Sequence, residues 1–444
     1  VKGTTDGLGT TSNNNLATSQ TTAANGDILG IASDIANGYL IFYKNGTHIY
    51  TITGISNDFD WFPSFSSYGT SATWHVNYGQ RPFTYTPPVG HKSLCSKNLL
   101  PDSKVVRPKK HFDTLLYTGN DSSDRNVEGL EFQPDFVWIK NRDQSDGHQL
   151  VDVVRGANKT LFTNSTTLES TDNSNGHVNY FTSGGFNVDA GAGGDVNENN
   201  EDYVAWCWKA GGAAVTNNDG SITTQVSANQ EAGFSIMTYT GNGSNGATIG
   251  HGLDSAPEFV IVKGRTNALN WVITEKNDHT KYLELNTTQA YQNQSSYNMF
   301  NSTAPSSTVI TLGNIGNTNS NGVNYVAYAW HSVPGYSKVG AFNGDGETDN
   351  TFIPCGFRPA WIMARSVNTS GGYWWMVDIK RDPDNVVYNM LDANRANSER
   401  TDTIYDINSN GFKVRLGLNT DTFVFLAFAE QSISNPFGGQ SDAR

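Results

Sequence analysis

The stretch YVAWCWKAG at residues 203–211 occurs twice more in this chain in altered form. Residues 325–333 read YVAYAWHSV, and residues 423–431 read FVFLAFAEQ. Each is a short apolar and aromatic run of the kind that forms a buried β-strand. A strand that recurs at long intervals predicts a chain built from internal repeats, so each copy should carry the same neighbours.

Three further landmarks precede each copy in the same order. The first is a strand that ends in YTGN or a related sequence, the second contains a proline, and the third is a shorter apolar strand. The first landmark reads FDTLLYTGN (112–120), FSIMTYTGN (234–242) and YSKVGAFNG (336–344) in the three copies. The second reads FQPDFVWIK (132–140), SAPEFVIVK (255–263) and FRPAWIMAR (357–365). The third reads LFTNSTT (161–167), LELNTTQ (283–289) and YNMLDAN (388–394).

The spacing between equivalent landmarks is nearly constant. Phe112 to Phe234 and Tyr203 to Tyr325 are both 122 residues, and Phe234 to Tyr336 is 102 residues. Four landmarks in one order, with steady offsets, predict three homologous units. Units of about 100 residues are large enough to fold around a core of their own. We therefore expect three separate domains, arranged as beads along a rod.

The strands are short, rich in Val, Ile, Phe, Tyr and Trp, and separated by clusters of Gly, Asn, Ser, Thr and Asp. This pattern is typical of an all-β sandwich or barrel. We predict an all-β protein of tandem β-sandwich domains, of the jelly-roll kind, with three internal repeats. The predicted divisions are 1–95 (an amino-terminal sandwich), 96–110 (a linker), 111–212 (repeat 1), 213–231 (a polar linker), 232–334 (repeat 2) and 335–444 (repeat 3).

Composition limits the classes of partner. The chain has 444 residues, a formal net charge of −13 and a pI of about 5.1. Without a basic stripe, nucleic acid is not an expected partner. The sequence contains no apolar run of about 18 residues, so we expect no membrane insertion. Because the chain begins at Val1 and not at Met, we expect an amino-terminal portion to precede it.

The cysteines do not form a disulfide framework. Cys95, Cys207 and Cys355 are an odd number of residues and lie far apart. Cys207 stands where the other copies have Ala329 and Ala427, which predicts a small buried hydrophobic residue. The sequence shows no cluster of metal ligands, so we expect no metal and no other cofactor.

The amino-terminal part resembles the second half of a SPRY (B30.2) domain. Residues 26–46 read GDILGIASDIANGYLIFYKNG, with hairpin signals at Asn37-Gly38 and Asn45-Gly46. The resemblance continues through WFPSFSSY at 61–68 and HVNYGQRPF at 75–83. It implies a SPRY-like β-sandwich, a fold that commonly binds proteins through its loops.

The combination of segments resembles large structural proteins of tailed phages, especially marine and cyanobacterial ones. The motifs that carry this are the YTGN, Pro-aromatic and YVAWCWKAGG strands that follow the SPRY-like segment. Residues 248–273 and the ending AEQSISNPFGGQSDAR at 429–444 are similar to phage tail-fibre modules. The resemblance implies a virion surface protein, made in the host cytoplasm, that acts as a tail fibre or spike. The family has no assigned catalytic residues, so none is transferred.

The expected partners are other virion proteins and a host cell-surface receptor, which could be a glycan or a protein. We also expect a homo-oligomer, with a trimer as the form that hides open strand edges in β-rich fibres. Weak glycan sites on tandem units would gain from avidity. Two alternatives stay open: a capsid decoration protein without receptor binding, and a secreted bacterial adhesin.

The residues that could do chemistry favour a non-enzymatic protein. No nucleophile-elbow motif accompanies the histidines, and glycoside hydrolysis needs two carboxyl groups facing each other in a cleft. The neighbouring carboxylates lie in polar segments typical of exposed loops. The candidates considered are His148, His251 and His279, and the acidic groups Glu128 with Glu131, Asp382 with Asp384, and Glu198 with Glu201 and Asp202.

Two further features point weakly to ligands. Residues 343–350, NGDGETDN, place oxygen-bearing side chains at alternate positions but lack the closing Glu of a calcium loop, which favours a plain hairpin loop. Trp271, Trp374 and Trp375 could stack on sugars, although aligned aromatics in strands more often pack in a core. Because neighbouring strand residues point to opposite faces, one of the last two should face solvent or a partner.

Overall fold

The computed structural model describes residues 2–4, 13–15, 24–34, 37–55, 73–93, 104–172, 174–347, 351–415, 417–418 and 420–431. The chain divides into two compact units, Val1–Pro101 and Asp102–Arg444. The protein is all-β, as predicted, and its described part contains one short 3-10 helix, Pro108–Lys110. Within that part, no helix has the length and apolar character needed to cross a bilayer.

The amino-terminal unit contains two small antiparallel sheets. Strands β1 (Lys2–Thr4) and β2 (Asn13–Asn15) pair with each other, and β3 (Leu29–Asp34), β4 (Tyr39–Lys44) and β5 (Thr47–Thr53) form a three-stranded meander. The turn between β4 and β5 is Asn45-Gly46, with φ of 49° and 80°, which confirms the predicted hairpin. The motif at 61–68 lies outside the described residues, and the SPRY-like resemblance stays a prediction.

Repeat 1 is a β-sandwich. Its strands are β6 (Phe112–Thr118), β7 (Arg125–Glu128), β8 (Phe136–Asn141), β9 (Gln149–Asp152), β10 (Gly156–Phe162), β11 (His177–Thr182), β12 (Gly185–Asp189) and β13 (Asp202–Trp208). A five-stranded antiparallel sheet has the order β10-β9-β8-β13-β6, and a three-stranded sheet has the order β11-β12-β7. The two sheets enclose a core that includes Val137, Val151, Phe186 and Ala205.

Repeats 2 and 3 have the same order of strands, which confirms the internal repeats. The strands of repeat 2 are β14 (Val215–Asn217), β15 (Thr224–Asn229), β16 (Phe234–Thr240), β17 (Thr248–Gly250), β18 (Phe259–Gly264), β19 (Val272–Glu275), β20 (Lys281–Glu284), β21 (Gln292–Asn293), β22 (Val309–Thr311) and β23 (Asn324–Trp330). The strands of repeat 3 are β24 (Ser337–Asn343), β25 (Phe352–Pro354), β26 (Pro359–Ser366), β27 (Trp375–Asp378), β28 (Val387–Asp392), β29 (Arg400–Asn408), β30 (Gly411–Val414) and β31 (Thr422–Ala429). The inner sheets run β20-β19-β18-β23-β16 and β28-β27-β26-β31-β24, and each repeat has a core of its own.

Residues 213–231, which the sequence marks as a polar linker, are part of repeat 2. Strands β14 and β15 form a hairpin, and β15 pairs with β16 from Gln225 to Asn229. The hairpin therefore extends the inner sheet of repeat 2 beyond the edge strand that the other repeats expose.

The strand register corrects one sequence alignment. The third landmark aligned Tyr388 with Leu161 and Leu283, but the residue at the equivalent place is Leu391. The longer connection between β27 and β28 moves the apolar strand along the sequence of repeat 3. The inter-strand pairs that define the equivalence are Leu161 with Leu150, Leu283 with Ile273, and Leu391 with Met376.

The recurrent YTGN motif has a close-packing cause. A Cβ on Gly119 would lie 1.8 Å from a backbone oxygen of the turn before β13, and one on Gly241 would lie 2.3 Å from the equivalent oxygen. The next residue, Asn120, exchanges amide hydrogen bonds with Asn197 on that turn. The equivalent asparagines of repeat 2 do the same. The motif therefore joins the end of the first strand to the start of the last.

The expectation of separate beads is wrong for the three repeats. The face of each inner sheet that points away from its own sandwich core enters one apolar cluster, called here the shared core. It includes Trp206 of repeat 1, Tyr328 of repeat 2 and Trp361 of repeat 3. Because both faces of the inner sheets are covered, β8 and β18 are buried at every position.

The repeats contact one another head to tail. Repeat 2 docks on repeat 1, repeat 3 on repeat 2, and repeat 1 on repeat 3, so the contacts close into a ring after three steps. We call these contacts the 1–2, 2–3 and 3–1 joints. One hydrogen bond from each joint, in that order, is Trp271 Nε1 to the Phe162 carbonyl (3.0 Å), Trp374 Nε1 to the Glu284 carbonyl (3.3 Å), and Thr163 Oγ1 to the Ala393 carbonyl (2.8 Å).

Candidate functional site

A pocket of about 340 Å³ opens in repeat 2 beside the 1–2 joint; we call it the repeat 2 pocket. Its wall comprises the loop between β18 and β19, the end of β20, the connection that follows β20, and the loop before β23. Thr166 of repeat 1 completes the rim. The side chains therefore extend from strand ends that two joints hold in place.

Glu284, the last residue of β20, is the acidic group of the pocket. Asn270 Nδ2 donates to its Oε1 at 2.8 Å, and Thr287 Oγ1 donates to its Oε2 at 3.0 Å. Its backbone carbonyl accepts hydrogen bonds from Trp374 and Arg365 of repeat 3. The carboxylate is thus held in position, and each oxygen keeps a further lone pair for a ligand.

Two tyrosines lie beside this carboxylate. Tyr282 is largely buried, and burial, together with Glu284 and Tyr297, raises its pKa to about 12. Tyr297 is 55% exposed and forms part of the outer wall. Both side chains carry a phenol hydroxyl that can donate a hydrogen bond. The Tyr297 ring also offers a flat apolar surface.

Amide side chains supply most of the other polar groups. Asn317 Nδ2 donates to the Asn270 carbonyl at 3.2 Å, and Gln292 Nε2 donates to the Ala290 carbonyl at 3.1 Å. Gln289 is exposed at the rim, where Arg365 binds its backbone carbonyl. A primary amide both donates and accepts, so this lining is complementary to groups that do the same.

A buried lysine supports the wall from behind. Lys263 Nζ donates to the carbonyls of Leu269 at 2.9 Å and of Thr166 at 3.2 Å, which joins the pocket loop to repeat 1. Desolvation lowers the pKa of Lys263 to about 8. Its ammonium is committed to backbone carbonyls and is not an anion-binding group of the pocket.

Repeat 1 has different residues at the equivalent positions. Phe162 takes the place of Glu284, and Gly147 takes the place of Asn270. A Cβ on Gly147 would lie only 2.7 Å from the Phe162 ring, so the ring covers the glycine. An apolar contact therefore occupies the space that the Asn270–Glu284 hydrogen bond occupies in repeat 2.

Repeat 3 fills the same region with charged groups. Asp392 is the equivalent of Glu284, and it forms ion pairs with Arg400 at 3.1 Å and Arg395 at 3.7 Å. The Arg395 guanidinium also lies over the Tyr373 ring, 4.3 Å from its centroid. The exchange at this position makes repeat 2 chemically distinct from its two relatives.

The three candidate histidines are not brought together. His148 and His251 are fully buried and His279 is half-buried, and burial lowers the pKa of each. His148 Nδ1 accepts a hydrogen bond from Trp138 Nε1 at 3.0 Å, and His251 Nδ1 accepts one from a backbone N–H. None of the three lines the repeat 2 pocket.

The candidate carboxylate pairs also lie away from the pocket. Glu128 and Asp384 are exposed, Glu131 forms an ion pair with Arg107, and Asp382 accepts hydrogen bonds from two backbone N–H groups. In the third set, Glu198 is exposed, Glu201 is half-buried, and Asp202 accepts a hydrogen bond from Thr118 Oγ1 at 2.7 Å.

The acidic loop at 343–350 is only partly described, because Asp349 and its neighbours at 348–350 lie outside the described residues. Asn343 Oδ1 accepts a hydrogen bond from Thr422 Oγ1, and Asp345 Oδ1 accepts one from the Glu347 backbone. Across the part of the chain that the structure describes, no three acidic, His or Cys side chains are placed to hold a metal ion.

The core interpretation of two tryptophans is confirmed. Trp271 and Trp374 are fully buried in the shared core. Trp375 points to the opposite face, is half-buried, and stacks on Phe423 at 5.7 Å. The exposed aromatic of the pocket is Tyr297, which sequence reasoning missed.

The buried-residue interpretation of Cys207 is also confirmed. Cys207 and Cys355 are buried free thiols, and burial raises the pKa of both. Cys95 lies outside the described residues.

A sequence signal for the pocket did exist. Glu284 is a charged residue at a position where repeat 1 has Phe162, and Asn270 replaces Gly147 nearby. Such a paired exchange between otherwise similar copies marks a place where one copy departs from the shared packing. The alignment of Tyr388 with these residues hid only the equivalent in repeat 3, which is Asp392.

One family model matches residues 107–432, which include all three repeats; it is DUF7483, a domain of unknown function. The match covers most of the chain, and the chain belongs to this family. No curated protein shows a significant match.

Proposed function

We propose that this DUF7483 member is a non-catalytic surface protein of a phage particle, which recognises the host through the repeat 2 pocket. One observation carries the proposal. The same scaffold occurs three times, and beside the open pocket repeat 2 has Glu284 hydrogen-bonded to Asn270. At the equivalent place repeat 1 has an apolar contact and repeat 3 has an ion-paired Asp392. The resemblance of the sequence motifs to tailed-phage structural proteins supports the setting.

The scaffold suits recognition because a rigid framework lies beneath the pocket. The strands beneath it are buried on both faces, and the Glu284 and Gln289 carbonyls are held by Arg365 from repeat 3. Binding sites commonly combine such a rigid framework with loops that vary.

The lining also favours binding over hydrolysis. Glu284 is the carboxylate among the residues that form the pocket wall in the described structure. Most glycosidases use two carboxyl groups about 5–10 Å apart, on opposite sides of the bond that is cleaved. A recognition protein needs no second group, because its task ends with binding.

Two measurements test the proposal with the full chain. Antibodies raised against it should label the surface of particles that carry it, and an excess of free chain should block adsorption of those particles to host cells. Surface label without competition would leave a decoration protein and overturn the recognition role. Absence of label would remove the virion role and leave the adhesin alternative.

A further inference from the structure

We infer that the repeat 2 pocket binds an uncharged sugar residue of a host-surface glycan. This inference rests on the proposed function, because it names the ligand class of the same pocket.

The size and the polarity of the repeat 2 pocket both fit a sugar. A volume of about 340 Å³ is at the small end of ligand pockets, which span roughly 300–1,000 Å³. It suits one or two sugar rings better than a folded protein segment. Typical pockets of drug-like ligands have mostly apolar walls. This wall carries amides, phenols and a carboxylate beside the apolar Leu269 and Met299, so it suits a ligand that has several hydroxyl groups and an apolar face.

The hydrogen-bonding groups match a sugar in kind. Vicinal hydroxyls each donate and accept, and amides such as Gln292 and Asn317 do both. Glu284 only accepts, and its oxygens keep lone pairs beyond those used by Asn270 and Thr287. Because these side chains are already held by hydrogen bonds, little conformational entropy is lost when a ligand binds.

The ring of Tyr297 provides the apolar contact. It is 55% exposed at the pocket rim, and the lining also includes Leu269, which is exposed. One face of a pyranose presents C–H groups, and an aromatic ring is a suitable surface for them. A phenol keeps its hydroxyl available for hydrogen bonding at the same time.

Charge selects against acidic sugars. Glu284 is the acidic group in the wall, and the nearby Lys263 Nζ donates to backbone carbonyls. The chain carries a formal net charge of −13, which also repels anionic glycans. A sialic or uronic acid carboxylate would meet Glu284 without a cation to offset it, so such glycans should be rejected.

The test is an array of neutral, amino, sialylated and uronic-acid glycans probed with the full chain, followed by calorimetry with the methyl glycoside of the best hit. We expect hits on neutral glycans. Tyr297→Ala should weaken binding at least 10-fold. Tyr180→Ala, which removes a ring 48% exposed in repeat 1, should leave binding unchanged.

Two further variants use the chain as its own control. Asn270→Gly with Glu284→Phe writes the residues of repeat 1 into repeat 2, so it should fold normally and abolish binding. Glu284→Gln removes only the charge, and it should raise the relative binding of uronic-acid glycans. A thermal melt of each variant shows whether the fold is retained.

The outcomes separate this inference from the proposed function. Binding confined to acidic glycans, or binding that the pocket variants leave intact, would overturn the sugar assignment. If no glycan binds but free chain still blocks particle adsorption, the recognition role stands and this assignment fails. If neither occurs, the proposed function fails with it.

Discussion

The 3–1 and 2–3 joints use one backbone contact with different side-chain chemistry. The Glu399 N–H donates to the Arg142 carbonyl at 2.7 Å, and the Tyr291 N–H donates to the Val367 carbonyl at 2.9 Å. The same bond joins Glu169 to Arg265 in the 1–2 joint, at 3.0 Å. The backbone of the joint is therefore shared, while the groups around it differ.

The 3–1 joint encloses an ionic network. Arg381 is fully buried, with Nε 2.6 Å from Asp378 and Nη1 2.6 Å from Glu399. Arg142 pairs with the same Glu399 at 2.7 Å, and Trp206 Nε1 donates to Asp378 at 3.0 Å. Each buried charge has a partner, which is the condition under which burial is tolerated.

The 1–2 joint repeats this network. The equivalent positions are occupied by Asp152, Arg155, Glu169 and Arg265. Tyr328 Oη donates to Asp152 at 2.7 Å and so replaces the Trp206 indole of the 3–1 joint. Although burial raises the pKa of Glu169, the hydrogen bond from Arg265 and the charge of Arg155 bring it below its ordinary value. The carboxylate is therefore ionised at neutral pH.

The 2–3 joint replaces the network with a phenol. Glu275 takes the position of Asp378, so one carboxylate is kept. The two arginines of the network, Arg381 and Arg142, are replaced by Asp278 and Val367. Tyr291 takes the position of Glu399. The Tyr291 hydroxyl donates to Glu275. Within the described residues, Glu275 has no ion-pair partner.

The difference shows that the joints do not depend on ion pairs for their geometry. All three join inner sheets over the shared core, where apolar burial drives association. Buried ion pairs often add little net stability but are costly to break. An unpaired buried charge would penalise a wrong neighbour, so we expect the pairs to favour the observed order of docking.

The largest expected effect is from Arg381→Ala. It leaves Asp378 buried without its cation and Glu399 with Arg142 alone, so we expect a loss of about 3–5 kcal/mol in unfolding free energy. Arg155→Ala should match it, and Asp278→Ala at the 2–3 joint should have little effect. Urea unfolding of the three variants makes the comparison. Equal losses for all three would remove the distinction between the joints.

The second-largest expected effect is from removing the Tyr291 hydroxyl at the 2–3 joint. Tyr291→Phe removes a donor to Glu275, which has no arginine beside it, and should cost about 2 kcal/mol. Tyr328→Phe removes the equivalent donor from Asp152, which keeps Arg155, and should cost about 1 kcal/mol. The same unfolding measurement compares them. A larger loss for Tyr328→Phe would contradict the argument.

His148 makes the 3–1 joint sensitive to pH. It occupies the place of Trp271 and Trp374, and burial, with Lys140 and Arg381 nearby, keeps its pKa well below 6.5. The folded state therefore binds fewer protons than the unfolded state, so stability is full above pH 6.5 and falls as the pH drops below it.

The measurement is the difference in unfolding free energy between pH 7.5 and 5.5. His148→Gln, which cannot titrate, should reduce this difference by about 1 kcal/mol. His279→Gln, at a half-buried site, should reduce it less. An unchanged difference in His148→Gln would show that this imidazole does not report on the joint.

The smallest effect concerns the repeat interiors, which should be interchangeable where the joints are not. Ala329 and Ala427 occupy the place of Cys207 in the other repeats. Cys207→Ala should therefore cost about 1 kcal/mol or less. A loss as large as that of Arg381→Ala would show that repeat interiors have diverged as far as the joints.

The candidate site was only partly accessible to sequence reasoning. The Gly, Asn and aromatic landmarks of repeat 2 identified its strands, because local turn and packing constraints repeat with them. No sequence motif identifies Glu284, Asn270 or Tyr297 as site residues. They become a site only because sheet pairing and the 1–2 joint place distant segments around one space.

The sequence by itself determined the all-β class, the three repeats and the turn at Asn45-Gly46. These follow from strand periodicity and from backbone conformations that few residues adopt. The tertiary structure alone decided that the repeats share one core and close into a ring. The sequence of β8 is mostly apolar, but it does not tell whether one face or both faces of the strand are covered by other parts of the protein. Only the packing shows what lies against each face.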